Sequence, residues 1–183
     1  MTAARSIILT GASGFVGQHV LSRLMQRKSL EIHALCRDIE TFSAAVSAAP
    51  REATTTVTVS SLDLTDQEAI DKWITEHPNL DICLHLAAIS NPRACEEAPK
   101  VAMACNNPTK WFHALSSRGI PIVALSTDQV YNGTKGSLYV ETDDTNPVNV
   151  YGKSKVAMEE YIQQRPTKCV SLRSSIVLGP HAP

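Results

Sequence analysis

The 183-residue chain has no excess of either charge: 17 Lys and Arg stand against 18 Asp and Glu, a formal net charge of -1. With no basic stripe either, nucleic acid is excluded as the main partner. Long hydrophobic runs are also missing. The longest, such as Ile120 to Leu125, fall far short of the roughly 20 apolar residues that a helical bilayer span needs, so no membrane segment is expected. Paired cysteine motifs are absent. Cys36, Cys83, Cys95, Cys105 and Cys169 are an odd number without CxxC spacing, which suits a reducing compartment and predicts a cytoplasmic protein. Cys83 and His85 share one face of a strand, but no third ligand has suitable spacing, so no metal site is expected. Met1-Thr-Ala-Ala-Arg5 runs directly into a strand that ends in Gly, so no signal peptide is expected. There is no internal repeat and no clear linker. Since 43% hydrophobic residues suffice to fill one core, residues 1–183 read as a single domain.

What is present is an alternation. Apolar runs rich in Val, Ile and Leu at Ser6–Thr10, Glu31–Cys36, Thr56–Ser60, Ile82–Leu86, Pro121–Ser126 and Lys168–Leu172 read as strands, several of them continuous apolar segments as strands buried on both faces should be. Amphipathic stretches at 15–28, 39–48, 66–77, 94–117 and 149–164 read as helices. Asp66 is a natural N-cap for the third, with the ladder Ile70, Trp73, Ile74 behind it. Strands alternating with helices require right-handed crossovers between parallel neighbours, so the predicted fold class is α/β, a doubly wound parallel sheet. Ala44–Thr56 reads as a variable connection. Thr127–Val148, dense in Gly, Asp, Asn and Thr, is the longest non-periodic stretch, and loops of that length tend to carry function.

Three glycines fall between the first strand and the first helix, in Thr10-Gly-Ala-Ser-Gly-Phe-Val-Gly17. Gly11 permits the tight turn, Gly14 lets the backbone approach a pyrophosphate, and Gly17 lets the helix pack close to the sheet. The helix N-terminus behind them offers free N–H groups to an anion. The spacing is GxxGxxG rather than GxGxxG, and its strand–turn–helix context makes it a Rossmann-type dinucleotide cradle. The second strand ends in Leu35-Cys36-Arg37-Asp38. Arg37 there suits a ribose 2′-phosphate and predicts NADP, while Asp38 one step later leaves NAD as the alternative. Asp63, in Leu-Asp-Leu-Thr-Asp, stands where a carboxylate accepts from an adenine amino group or caps a helix. Tyr151-Gly-Lys-Ser-Lys155 puts a phenol and an ammonium on one helix face. Nearby positive charge is what a phenol needs to act as an acid near neutral pH, because it favours the phenolate.

Thr10 to Gly17, Asp63-Leu64, His85-Leu-Ala-Ala88, Ser126-Thr-Asp-Gln-Val-Tyr-Asn-Gly133 and Tyr151 to Lys155 occur in order. Together they resemble the extended short-chain dehydrogenase/reductase family over nearly the whole chain. Within it, the Ser-Thr-Asp-x-Val-Tyr-x-Gly segment resembles the branch of dTDP-4-dehydrorhamnose reductases and the related regulatory β subunits of methionine adenosyltransferase. Glu141-Thr-Asp…Pro147-Val-Asn-Val-Tyr-Gly-Lys-Ser-Lys155 with Glu159 behind it, and Cys95-Glu96…Pro99…Asn106, match the same branch.

The resemblance implies that Thr127 hydrogen-bonds a substrate carbonyl and that Tyr151 donates the proton. It also implies that Lys155 lowers the phenol's pKa and holds the nicotinamide ribose, and that Asn106, or Asn107 one register away, serves the proton relay. The implied cofactor set comprises Gly11, Ser13, Gly14, Phe15, Val16, Gly17, Arg37, Asp63, Leu64, Leu86, Ala87, Ala88 and Ser126. Ser174 and Ser175 beside the nicotinamide complete it. The expected activity is NADP-dependent reduction of a keto-deoxy nucleotide sugar or another small carbonyl compound. One alternative is a non-catalytic NADP-binding subunit docked on a methionine adenosyltransferase catalytic subunit. A nucleotide-sugar epimerase or dehydratase is the other, since Asp128 follows Thr127. Family members continue into a C-terminal substrate domain, which a chain closing on Gly179-Pro-His-Ala-Pro183 is expected to lack. The fourth and fifth helices form a dimer face in that family, so a homodimer is among the expectations. His19, His33 and His85 are expected to be packed or surface histidines, Trp73, Trp111 and Phe112 to pack helices on the sheet, and Arg93, Glu96 and Glu97 to be solvated.

Overall fold

A computed structural model describes residues 4–37 and 39–180 of the chain. Six strands form one sheet: β1 (Arg5–Thr10), β2 (Leu30–Cys36), β3 (Thr56–Ser61), β4 (Ile82–His85), β5 (Ile122–Thr127) and β6 (Cys169–Ser174). Their order is β3-β2-β1-β4-β5-β6, and every neighbouring pair is parallel. The chain reverses its winding between β1 and β4, the switch point outside which open α/β sheets hold ligands. The doubly wound α/β fold read from the alternation is therefore the fold observed.

Helices α1 (Phe15–Met25) and α2 (Glu40–Ala48) cover one face, where Leu9, Ile32 and Ala34 meet Leu21, Met25 and Val46. The other face carries α3 (Gln67–Glu76), α6 (Thr109–Ser117) and α7 (Val150–Gln163), which bury Trp73, Trp111, Phe112, Met158 and Ile162 against Ile8, Leu35, Cys83 and Ile122. Ile8 and Leu9 thus serve opposite layers, because successive residues of a strand point to opposite faces. Asp66 caps α3 as expected, its Oδ1 accepting from the amides of Glu68 and Ala69 at 2.9 and 3.2 Å.

The single helix expected over 94–117 is a correction. The stretch forms three helices, α4 (Pro92–Glu97), α5 (Pro99–Asn106) and α6. Pro99 and Pro108 break it. A proline restricts its predecessor as well as lacking an N–H, and Ala98 and Asn107 accordingly sit outside the helical region at φ -136° and -126°. The breaks turn the end of α5 toward the carboxyl edge of the sheet. The first helix also ends at Met25, short of the expected 28.

Candidate functional site

The Gly-rich turn links β1 to α1. Gly11 adopts φ +67°, and a methyl group on it would lie 2.7 Å from the amide nitrogen of Ala87, so the turn and the segment leaving β4 touch backbone to backbone. A methyl on Gly17 would lie 2.1 Å from the Gly11 carbonyl, which explains why α1 requires glycine to pack under the turn. No side chain caps the first turn of α1 and no acidic residue stands there, so its amides face the cleft without a competing anion.

Thr10 completes the floor, and nothing in the motif singled it out. Its Oγ1 accepts from the amides of Leu86 and Ala87, both at 3.2 Å, and shares a hydrogen bond with His85 Nδ1 at 3.0 Å. His85 is fully buried beside Phe112, and burial pushes its pKa down to about 3, with the charge of Lys155 adding to the effect. The expectation of a packed histidine holds for it, and His33 is buried too.

A cleft of about 200 Å³ opens above this floor. Of the expected cofactor residues it gathers Gly11, Ser13, Gly14, Arg37, Asp63, Leu64, Leu86, Ala87 and Ala88. Leu62, Thr65, Ile89 and Cys105 also line it and were not foreseen, because their places depend on how β3 and α5 end rather than on a local motif. Arg37 and Asp63 flank one end. Asp63 accepts from the amide and hydroxyl of Thr65 at 2.8 and 2.7 Å. These bonds, more than the charge of Arg37, hold its carboxyl below the usual range. Asp38 lies outside the described residues. Phe15 and Val16 line a separate apolar hollow with Val177 and Leu178. Ser126 is buried with no partner for its hydroxyl among the described residues, and Ser174 Oγ reaches the Ser126 carbonyl at 3.5 Å, while Ser175 is exposed.

The second constellation lies where β5 ends and α7 begins. Asn149 caps α7, its Oδ1 accepting from the Gly152 amide at 2.7 Å, and Glu96 accepts from the Val150 amide at 2.7 Å. Glu96 is therefore bound to the start of α7 rather than merely solvated, whereas Arg93 and Glu97 form an exposed pair as expected. Tyr151 is buried against Cys95 and Ala102. Burial raises its phenol above the ordinary value, Cys95 and Asp128 push the same way, and a hydrogen bond with Thr127 pulls it down. Thr127 also takes the amide of Gln129 at 3.2 Å, fixing the turn that follows β5.

Lys155, 2% exposed, turns its ammonium to the Leu125 carbonyl at 2.9 Å. Burial lowers its pKa to about 8 against the opposing pull of Glu159 and Cys95. The lysine is thus held by β5, one turn below the phenol, and the expectation that it lowers the phenol's pKa is corrected: burial of Tyr151 raises that pKa instead. Asn106, fully buried, binds the backbone of Ile89 through Oδ1 (2.7 Å) and Nδ2 (3.1 Å). Its Nδ2 also donates to Ser154 Oγ at 2.9 Å, and Ser154 donates to the Tyr151 carbonyl at 2.7 Å. This chain joins the segment after β4 to the helix carrying Tyr151 and Lys155. Asn107 is only the cap of α5.

Comparison with known proteins decides the family. The RmlD substrate binding domain family matches residues 5–183. The chain belongs to it. The chain is 28% identical over 173 residues to a probable low-salt glycan biosynthesis reductase of Haloferax volcanii, covering 93% of this chain and 53% of that protein. It is 30% identical over 157 residues to a dTDP-4-dehydrorhamnose reductase of Streptomyces griseus, covering 85% and 44%. A solved dTDP-4-dehydrorhamnose reductase from Bacillus anthracis in complex with NADP superposes with a TM-score of 0.70 at 22% identity, over 93% of this chain and 54% of that one. The chain thus spans about half the length of the relatives it matches. Among the described residues, no helix is long and apolar enough to cross a membrane.

Proposed function

We propose that this chain supplies the dinucleotide-binding and proton-donating half of an NADP-dependent reductase acting on a keto-deoxy nucleotide sugar. The observation that carries the reading is the convergence at one sheet edge of a glycine-rich turn and a buried Thr127–Tyr151–Lys155 set. The turn fits a dinucleotide: Gly11 and Gly17 let β1, α1 and the segment after β4 approach backbone to backbone, and the first turn of α1, without a side-chain cap, would receive a diphosphate. Arg37 would hold a 2′-phosphate and Asp63 an adenine edge. When bound, the nicotinamide supplies a hydride to a carbonyl carbon. Tyr151 then delivers its proton to the carbonyl oxygen while the Thr127 hydroxyl orients that oxygen. Lys155, cationic below its lowered pKa, would donate to ribose hydroxyls. Asn106 keeps Ile89 and α7 at a set separation, so that a bound cofactor would face the phenol.

Two measurements test this. Fluorescence titration should show NADPH binding more tightly than NADH by at least about tenfold, a preference that Arg37→Ala removes; equal affinities in the unaltered protein would undo the Arg37 role. NADPH oxidation with a dTDP-4-keto-6-deoxy sugar should fall about 100-fold or more in Tyr151→Phe. A rate untouched by that change rules out the proton-donor role. Tight NADPH binding without any turnover would favour instead a regulatory subunit docked on a methionine adenosyltransferase.

A further inference from the structure

Residues 131–146 contain neither helix nor strand, yet they are tied down from β6 and α7. Arg173 on β6 donates from Nε and Nη2 to the Glu159 carboxylate, with the shortest contact at 2.6 Å. From Nη1 it donates to Tyr131 Oη at 2.6 Å and to the Glu141 carbonyl at 3.2 Å. The guanidinium also lies over the Tyr131 ring, 5.1 Å from its centroid, and that ring stacks on Tyr139 at 4.2 Å. Tyr131 Oη passes its own proton to the Val140 carbonyl at 2.8 Å. One side chain therefore engages a helix, an aromatic ring and two points of the segment. Glu159 is 3% exposed, and both of its carboxylate oxygens are taken by the Arg173 guanidinium.

Position gives this junction its meaning. Arg173 pairs in register with Ser126, the residue before Thr127. Tyr151, Lys155 and Glu159 follow one another at four-residue intervals along one face of α7. At the other end of the segment Asn149 donates to Gln129 Oε1 at 2.8 Å, and a methyl on Gly152 would lie 2.3 Å from the Gln129 carbonyl, so the turn after β5 abuts the start of α7. At the head of that turn stands Thr127, whose hydroxyl accepts from the Gln129 amide at 3.2 Å and donates to Asp128 Oδ1 at 3.3 Å. A hydroxyl is useful opposite a phenol only if its turn cannot swing away, and Tyr131 is the first residue beyond that turn to be gripped from outside it.

We infer that Arg173 is a positioning residue. By joining Tyr131 to the buried Glu159, it holds the turn after β5 so that the Thr127 hydroxyl stays opposite the Tyr151 phenol. The catalytic consequence rests on the reading of Thr127 and Tyr151 given above; the geometric claim does not.

Nuclear magnetic resonance of the chain labelled with ¹³Cζ-tyrosine tests it, with the Tyr151 signal assigned by its loss in Tyr151→Phe. The charged and titratable groups that face this phenol are Asp128 after β5 and Cys95 on α4, and neither is altered by the test substitutions. Tyr131→Phe removes the hydroxyl between Arg173 and Val140 and leaves the Arg173–Glu159 pair in place. Arg173→Lys keeps the charge beside Glu159 and gives up the contact with Tyr131. Both variants should displace the Tyr151 resonance and raise its titration midpoint by about half a unit or more, as the hydrogen bond between Thr127 and the phenol loosens. Amide exchange over 132–143 should quicken about tenfold alongside. If Arg173→Lys fails to fold, Tyr131→Phe alone decides. A Tyr151 signal that keeps its position and midpoint in a folded variant overturns the proposal, however fast the segment exchanges. Because this readout needs no turnover, absence of NADPH oxidation in the unaltered protein would sink the reductase reading while the positioning role is still measured.

Discussion

Lys155 illustrates how a single side chain can belong to two elements. Its backbone is on α7, but its ammonium is held by the Leu125 carbonyl of β5, inside the sheet's edge. Burial there favours the neutral amine and brings the pKa down to about 8. Below that pH the group is cationic and, on the function proposed above, would donate to a ribose. Above it the charge is lost, so NADPH affinity should be level to about pH 7.5 and weaken progressively from pH 8 to 9.5. Lys155→Met should bind more weakly throughout and show no such alkaline limb. The weakening is separable from unfolding, because between pH 8 and the ordinary lysine value the unfolded chain holds the extra proton, and this group then makes the fold more stable as pH rises. Fluorescence titration across the pH range, with melting curves beside it, checks both signs. Tyr151 and Lys155 were visible in the sequence because their spacing of four is a helix period. That Lys155 faces Leu125 was not, since spacing along a helix says nothing of which strand lies beneath it.

Among the elements, α3 and the α4–α6 stretch show the two ways in which sequence punctuation operates. Asp66 satisfies two amides that α3 would leave unpaired, and its role is legible because a cap needs only its own helix. Asp66→Ala should cost about 1 kcal/mol and lower the melting temperature by roughly 2–4 °C, with no change in NADPH affinity. Thermal denaturation followed by circular dichroism measures it. The prolines at 99 and 108 carried the same kind of local signal, and a continuous apolar periodicity over 94–117 masked it. Their effect reaches further than the helix count. By ending α5 at Asn106, the second break lets that side chain enter the fold and hold Ile89 and Ser154 at once. A continuous helix would carry Asn106 in its middle, bound to the direction of its face.

On the scale of the whole molecule, the sheet buries histidines that it must keep neutral. His85 stands with its pKa pushed down to about 3 by burial, and His33 is lowered by burial and by His77 beside it. Below the ordinary histidine value the unfolded chain takes up protons that the folded one refuses, so stability falls as pH drops from about 6.5 toward 3. For His85 alone the loss at pH 4.5 amounts to about 2–3 kcal/mol. Melting temperatures between pH 7.5 and 4.5 should fall steeply, and His85→Gln, which retains an acceptor for Thr10, should flatten that slope even if it lowers the plateau. An unchanged slope would show that His85 titrates normally. What the chain's own order of residues determined was the βα alternation, the glycine turn, the cap on α3 and the Tyr151–Lys155 face, because each depends on neighbours within a turn or a strand. Only tertiary structure decided that Thr10 bonds His85 across 75 positions, that Asn106 meets Ser154 across 48 and that Arg173 meets Tyr131 across 42. Such contacts arise where strands and helices end at a common edge, and that edge exists only once the sheet has formed.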